Sequence, residues 1–328
     1  MKNTDKKILL SGVKPTGRPH IGNYFGAMKQ FVDFQNDYNS FIFIADYHAL
    51  NSIQNAQELS RNIMDVAIDY LAIGLNPDTV TFYKQSDVPE HTELAWIFNT
   101  ITTMPYLMRA HAFKDAEAKN KEISVGTFDY PMLMAADILL YDADVVPVGQ
   151  DQKQHVEIAR DTALKFNRIY GDTFKPPQEM ILENVKIVPG TDGRKMSKSY
   201  GNTIPLFADD ETIKKAVMSI PTDSKSVSEP KNPEEDKVFA LHKLFAVPAE
   251  LSKIREAYEK GGMSYKESKE ILIKNISAFI APMREKRAKI AENESAIIEM
   301  LRAGGKRARM IAETKMDLVR KRIGATFS

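Results

Sequence analysis

Lys7-Ile8-Leu9-Leu10-Ser11-Gly12-Val13-Lys14-Pro15-Thr16-Gly17-Arg18-Pro19-His20-Ile21-Gly22-Asn23 reads as strand, turn and helix start, in that order. Ile8-Leu9-Leu10 is the core of a buried strand over Lys7–Val13. Lys14 to Pro19 is turn chemistry, with two prolines and a glycine. A helix from about His20 to Gln35 follows, its apolar residues Ile21, Tyr24, Phe25, Met28, Phe31 and Val32 spaced three and four apart. Ser40–Asp46 is a second buried strand, Ala56–Ile73 an amphipathic helix and Thr79–Tyr83 a third strand. This β-α-β-α-β order predicts a parallel sheet with right-handed crossovers. In such sheets ligands sit at the carboxyl ends of the strands, beside the first helix N-terminus. The turn from Gly17 to Asn23 falls at that place.

Working outward, the pattern predicts helices around 90–101 and 104–114, and a polar, loop-like stretch from Asp115 to Asp129. An apolar helix follows over Pro131–Tyr141, then a fourth strand over Asp144–Val148 and a helix over Gln150–Tyr170. A short hairpin is expected from Lys175 to Val188. From Asp209 onward only helical patterns occur, separated by the polar loop Thr222–Pro233 and ending in long helices over Met263–Ala291 and Glu294–Ile323. The fold class is α/β, a parallel-sheet domain joined to an all-helical one.

The chain has 328 residues, enough for one large domain or two modest ones. Its formal net charge of +1 gives no global electrostatic argument for a nucleic-acid partner, so any such argument must be local. It has no cysteine, which excludes disulfides and thiolate-ligated metal sites. His20, His48, His91, His111, His155 and His242 show no metal-ligand spacing, and no metal site is expected. The polar start Met1–Lys7 and the short apolar run after it do not make a signal peptide, and no stretch is long enough to cross a membrane. A cytoplasmic enzyme is the expectation.

Five stretches carry chemistry. Pro19-His20-Ile21-Gly22-Asn23 puts a His at a helix N-terminus, where His20 and Asn23 can meet phosphates and Gly22 can let a nucleoside approach; a plain strand-turn-helix is the bland alternative. Lys195-Met196-Ser197-Lys198-Ser199, bracketed by Gly193 and Gly201, can close over a ligand and follow charge building on departing pyrophosphate; a solvated basic loop is the alternative. Tyr130, Met134 and Asp137 fall on one helical face. A carboxylate in that apolar run either accepts a hydrogen bond from a buried ligand donor, caps a loop or pairs with an Arg. In Val148-Gly149-Gln150-Asp151-Gln152, Asp151 is placed for ribose hydroxyls and Gln152 for an amino group; helix capping by Asp151 is compatible with both. The tail Arg302–Arg322 holds eight Lys or Arg against two acidic residues and is either a solvated face or a phosphate-tracking surface.

The ordered pair of first and second stretches resembles the HIGH and KMSKS signatures of class I aminoacyl-tRNA synthetases. Asn23 stands where many members have His, as is common in the tryptophanyl branch. Ser11 to Gly17, Met134-Ala135-Ala136-Asp137, Lys195 to Asn202, Gly304-Gly305-Lys306-Arg307-Ala308 and Ile323-Gly324 extend the resemblance to bacterial-type tryptophanyl-tRNA synthetases along nearly the whole chain. The Gly-x-Asp-Gln-x-x-His pattern at Gly149–His155 is shared with the tyrosyl branch. Lys14 stands where some members have Gln, which leaves open whether it steers the substrate carboxylate or the α-phosphate.

The resemblance implies a Rossmann-type catalytic domain over 1–205 that includes the KMSKS loop, an α-helical anticodon-binding domain over 206–292, and a C-terminal helix over 293–328 returning toward the catalytic domain. It implies a homodimer. It also implies that tryptophan and ATP, with Mg²⁺ as part of the co-substrate, give tryptophanyl-adenylate and pyrophosphate, after which tRNA(Trp) takes the amino acid at its 3′ end. The residues carried over as catalytic are His20, Asn23, Lys195 and Lys198. ATP would meet Lys14, Thr16, Gly22, Asn23, Gly149, Asp151, Lys195, Met196, Ser197 and Lys198. Tryptophan would meet Ser11, Gly12, Ala45, His48, Tyr130, Met134, Val146, Val148 and Gln152, with Asp137 on the indole N–H. Lys306, Arg307 and Arg309 would touch tRNA. Three rivals stay open at this point: a tyrosyl enzyme, a shorter HIGH-type nucleotidyltransferase and a catalytically idle paralogue.

Overall fold

The structure is a computed structural model that describes residues 6–118, 123–149, 152–181 and 188–326. Five strands form one parallel sheet: β1 (Ile8–Val13), β2 (Asn39–Ile44), β3 (Thr81–Lys84), β4 (Val145–Val148) and β5 (Gln178–Ile181), in the order β3-β2-β1-β4-β5. β1 and β2 pair from Ile8 opposite Asn39 to Val13 opposite Ile44. Side chains alternate between the faces, as strands covered on both sides require. Leu9, Ile42, Ile44 and Phe82 enter one core; Leu10, Phe41, Phe43 and Tyr83 enter the other.

Parallel pairing demands crossovers. The first contains α1 (Ile21–Asn23), a π-helical segment Tyr24–Met28 and α2 (Lys29–Phe34). The second contains α3 (Asp46–Ala49) and α4 (Ala56–Ile73). Between β3 and β4 lie α5 (Glu90–Ile101), α6 (Met104–Leu107), α7 (His111–Ala118) and α8 (Val125–Leu139), and α9 (Lys153–Tyr170) leads to β5. The chain then forms α10 (Asp210–Met218), α11 (Lys237–Phe245), α12 (Pro248–Lys260), α13 (Tyr265–Ala291) and α14 (Glu294–Arg322).

Three sequence expectations change. The single helix over His20–Gln35 is interrupted by the π segment. Tyr24 and Phe25, which a regular α-helix splays by about 100°, both pack on Phe279 of α13, with centroids 5.5 and 5.6 Å away. The stretch Asp115–Asp129 is helical at both ends, and 119–122 lie outside the described residues. α8 starts at Val125, where Ser124 Oγ accepts the Thr127 N–H at 3.2 Å, so Pro131 sits inside the helix rather than opening it. The hairpin expected over Lys175–Val188 contributes β5, a parallel partner of β4. Residues 182–187, where its second arm would run, lie outside the described residues.

The helical half is welded to the sheet domain. Ile21, Met196 and Ile204 share one core with Ile213 and Val217 of α10, Val238 and Leu241 of α11, and Leu272, Ile276 and Ile280 of α13. Arg287 of α13 donates from Nε to Asp69 Oδ1 on α4 at 2.6 Å and also pairs with Asp65. α14 returns to the sheet. A Cβ on Gly304 would lie 1.8 Å from the Phe82 carbonyl oxygen of β3, so glycine there permits contact between helix and edge strand.

Candidate active site

The strand order reverses direction between β1 and β4, and a cavity of about 710 Å³ opens there. Its wall contains Ser11, Gly12, Lys14, Thr16, His20, Asn23, Ala45, His48, Tyr130, Met134, Asp137, Val146, Val148, Gly149, Gln152, Ser197 and Lys198. The side chains on α8 that share a helical face do share this wall. Phe43 joins them, unforeseen: a Cβ on Gly12 would lie 2.6 Å from its ring, so Gly12 makes room for that aromatic. Asp151, assigned from sequence to the ribose, lies outside the described residues, as does Gln150.

His20 and Asn23 build the helix start. The His20 N–H donates to Asn23 Oδ1 at 3.0 Å, and the Asn23 N–H donates to His20 Nδ1 at 3.3 Å, a reciprocal capping box. Because Nδ1 accepts, the ring proton sits on Nε2. Burial, assisted by the charge of Lys198, lowers the His20 pKa to about 4, so the ring is a neutral donor near pH 7. Asn23 lines the cavity beside it. Gly22 also makes room within the protein itself. A Cβ there would lie 2.8 Å from His20 Nδ1 and 3.2 Å from Met196 Cβ, so Gly22 seats the capping ring.

The second signature is held from within. Asn202 Oδ1 accepts the Ser197 N–H at 2.8 Å, and its Nδ2 donates to Asp192 Oδ1 at 2.7 Å and to the Lys195 carbonyl at 3.2 Å. Met196 is buried in the core shared with the helical half rather than on the cavity wall. Lys198 lines the cavity and donates to the Thr16 carbonyl at 3.1 Å, whereas Lys195 is exposed and off the wall. Burial also lowers the pKa of Lys14, an ammonium that gains by meeting an anion.

Asp137 is 1% exposed and triply bonded. Its Oδ2 accepts from His48 Nε2 at 2.9 Å; its Oδ1 accepts from Gln85 Nε2 at 2.7 Å and from His91 Nδ1 at 2.6 Å. Burial pushes its pKa up, but neighbouring His91 and the hydrogen bonds from His48 and His91 outweigh burial and hold it at about 2. It neither caps a loop nor pairs with an Arg. Nearby, Tyr130 OH and His155 Nε2 share a hydrogen bond of 2.5 Å. Gln85, His91 and Asn202 were not singled out from sequence, since no spacing rule links them to the groups they hold.

In the tail, Arg309 Nε is 3.1 Å from both Glu90 Oε1 and Glu313 Oε1, and Arg307 donates to the Pro77 carbonyl at 3.2 Å. Lys306 is exposed.

A family model described as tRNA synthetases class I (W and Y) matches residues 2–292. The tryptophan–tRNA ligase of Rhodopirellula baltica is 46% identical over 316 residues, covering 96% of this chain and 99% of the relative. That of Fusobacterium nucleatum is 47% identical over 319 residues, covering 97% and 98%. A crystal structure of the Campylobacter jejuni tryptophanyl-tRNA synthetase complexed with ADP and tryptophan superposes with a TM-score of 0.93 at 45% identity, covering 97% and 99% of the two chains.

Proposed function

The chain belongs to the class I tRNA synthetases of the W and Y type, and on that premise we propose how its cavity carries out the tryptophan–tRNA ligase reaction. In that reaction the tryptophan carboxylate attacks the α-phosphate of ATP. The bond from the α-phosphorus to the bridging oxygen breaks, pyrophosphate leaves, and a ribose hydroxyl at the tRNA 3′ end later displaces AMP from the adenylate. No protein nucleophile is required, so catalysis is positioning and charge stabilisation.

The observation that carries this reading is the convergence of His20, Asn23, Lys198 and Asp137 on one cavity. His20 Nε2–H and the Asn23 NH₂ donate to phosphate oxygens. Lys198, with Lys195 on the same loop, meets the charge that grows on pyrophosphate. Lys14 stands at the anionic junction where carboxylate and α-phosphate meet. Tyr130 and Gln152 take the α-amino group, Asp137 takes the indole N–H, and Asp151 takes the ribose. ATP enters as its Mg²⁺ complex, a substrate.

Residues 1–205 act as the catalytic domain, 206–292 read the anticodon, and 293–328 return to brace the sheet. Lys306 faces tRNA phosphates, and Arg307 and Arg309 border the same surface while also holding the Pro77 carbonyl and Glu90. The enzyme works as a homodimer in the cytoplasm; Trp96 on α5 and Met104 on α6, 71% and 66% exposed, are apolar groups suited to a subunit contact. ATP–pyrophosphate exchange with tryptophan, with tyrosine and with no amino acid tests the assignment. Exchange that depends on tryptophan alone is expected; exchange driven by tyrosine would overturn the placement of Asp137.

A further inference from the structure

A carboxylate has room for about four donors. Asp137 already receives three, and they are unequally distributed. Both donors on Oδ1, Gln85 and His91, come from behind the cavity wall. The donor on Oδ2, His48, belongs to the wall itself. Oδ1 is therefore saturated, and Oδ2, whose donor His48 lines the cavity as Asp137 does, has one acceptor direction left. His91, 0% exposed, is fixed in turn through Nε2, which lies 3.0 Å from Tyr141 OH. The three donors come from separate elements: Gln85 from the turn after β3, His91 from α5 and His48 from α3.

We infer that His91 and Gln85 are positioning residues for amino-acid selection: by occupying Oδ1 they present Asp137 as an ionised acceptor with a single open site, which fits a ligand offering one ring N–H. This rests on Asp137 being the indole acceptor. A side chain without a ring N–H leaves the open site of a buried anion unmet, and such a site rejects it strongly. The clamp acts before any substrate arrives, so it costs no reorganisation on binding. The groups facing Asp137 are His48, His91, Gln85, Tyr83 and Tyr141, and Tyr130 of the same helix packs edge-on against the His48 ring. Removing one imidazole leaves burial less opposed, so the carboxyl takes up a proton at higher pH.

The experiment measures kcat/KM in ATP–pyrophosphate exchange for tryptophan and for its benzothiophene counterpart, in which sulfur replaces the ring N–H, from pH 5.5 to 8. Wild type is expected to prefer tryptophan by a ratio that does not change with pH. His91→Leu should lower that ratio on the order of tenfold, and further as pH falls. His91→Asn, which keeps an N–H at the Nδ1 position, should restore most of it. Gln85→Met, with one donor fewer and similar volume, should move the ratio the same way if His91→Leu does not fold. Wild type treating the two compounds alike would overturn the assignment of Asp137 itself. Wild-type discrimination with an unchanged, pH-independent ratio in folded His91→Leu and Gln85→Met would leave that assignment standing and overturn the clamp. Equal loss for both compounds would likewise overturn it, marking a packing role only.

Discussion

Lys198 Nζ donates to the carbonyl oxygen of Thr16 at 3.1 Å, tying the loop of the second signature to the turn of the first. A phosphate arriving at the His20 helix start meets an ammonium already within that turn. Lys198→Ala is expected to slow adenylate formation by ~10²–10³-fold, the usual result of removing a group that stabilises transition-state charge. Tryptophan affinity should hardly move. Lys195→Ala should act in the same direction. Single-turnover kinetics with equilibrium tryptophan binding checks both; an unchanged activation rate would place the pyrophosphate elsewhere.

His242 gives a pH prediction. It is fully buried in the helical half, where its Nε2 lies 3.0 Å from Ser268 Oγ, and burial lowers its pKa to about 4. The unfolded chain binds the proton near pH 6.5, so it holds more protons than the folded one between about 6.5 and 4. Stability from this site is whole above pH 6.5 and drains away as pH falls through that window, by roughly 3 kcal/mol at most. His242→Gln keeps a donor near Nε2 and cannot titrate. The stability gap between wild type and His242→Gln, from urea melts at pH 7 and pH 4.5, should narrow at the lower pH. A constant gap would show that the ring does not stay neutral.

Gly304 gives a packing prediction. Alanine there gains about 1 kcal/mol of helix propensity. Its methyl would also drive α14 off the Phe82 carbonyl, an overpacking cost of about 1–3 kcal/mol or more. Gly304→Ala is therefore expected to lower Tm despite sitting mid-helix. A raised Tm would mean that α14 and β3 lie farther apart.

The basic tail separates into two kinds of residue. Arg309→Ala strips the guanidinium from buried Glu90 and should cost about 1–3 kcal/mol of stability. Lys306→Ala removes an exposed charge and should leave Tm unchanged. If Lys306 meets a tRNA phosphate, the variant should weaken tRNA binding and lower the salt-dependence slope by about 0.7–0.9. An unaltered slope would return Lys306 to the solvated face.

The parallel sheet was legible because its signals are local: Ile8-Leu9-Leu10 and Phe41-Ile42-Phe43-Ile44 are apolar runs bounded by turns. The cavity wall was legible where its residues lie close together in the chain, as at His20 and Asn23, Ser197 and Lys198, and Tyr130, Met134 and Asp137. What sequence hid was convergence. Gln85 and His91 reach Asp137 from different elements, and neither looks unusual beside its own neighbours. The π segment was hidden for the same reason, since Phe279, its packing partner, is remote in the chain. Pro131 misled by its usual preference for a first helical turn. Asn202 stabilises a loop whose lysines drew all the notice.

β3 is an edge strand, and α14, which packs against it, is made about 210 residues later. Until α14 emerges, the nascent sheet presents one side without its cover while everything between β3 and α14 is still being translated. At about 5–20 residues per second that interval lasts on the order of ten seconds or more. Such an edge invites pairing with another chain. Low-temperature expression or a ribosome-bound chaperone should therefore raise the soluble yield of Gly304→Ala more than that of wild type. The seating of one helix makes vulnerability to aggregation a matter of translation timing as well as of equilibrium stability.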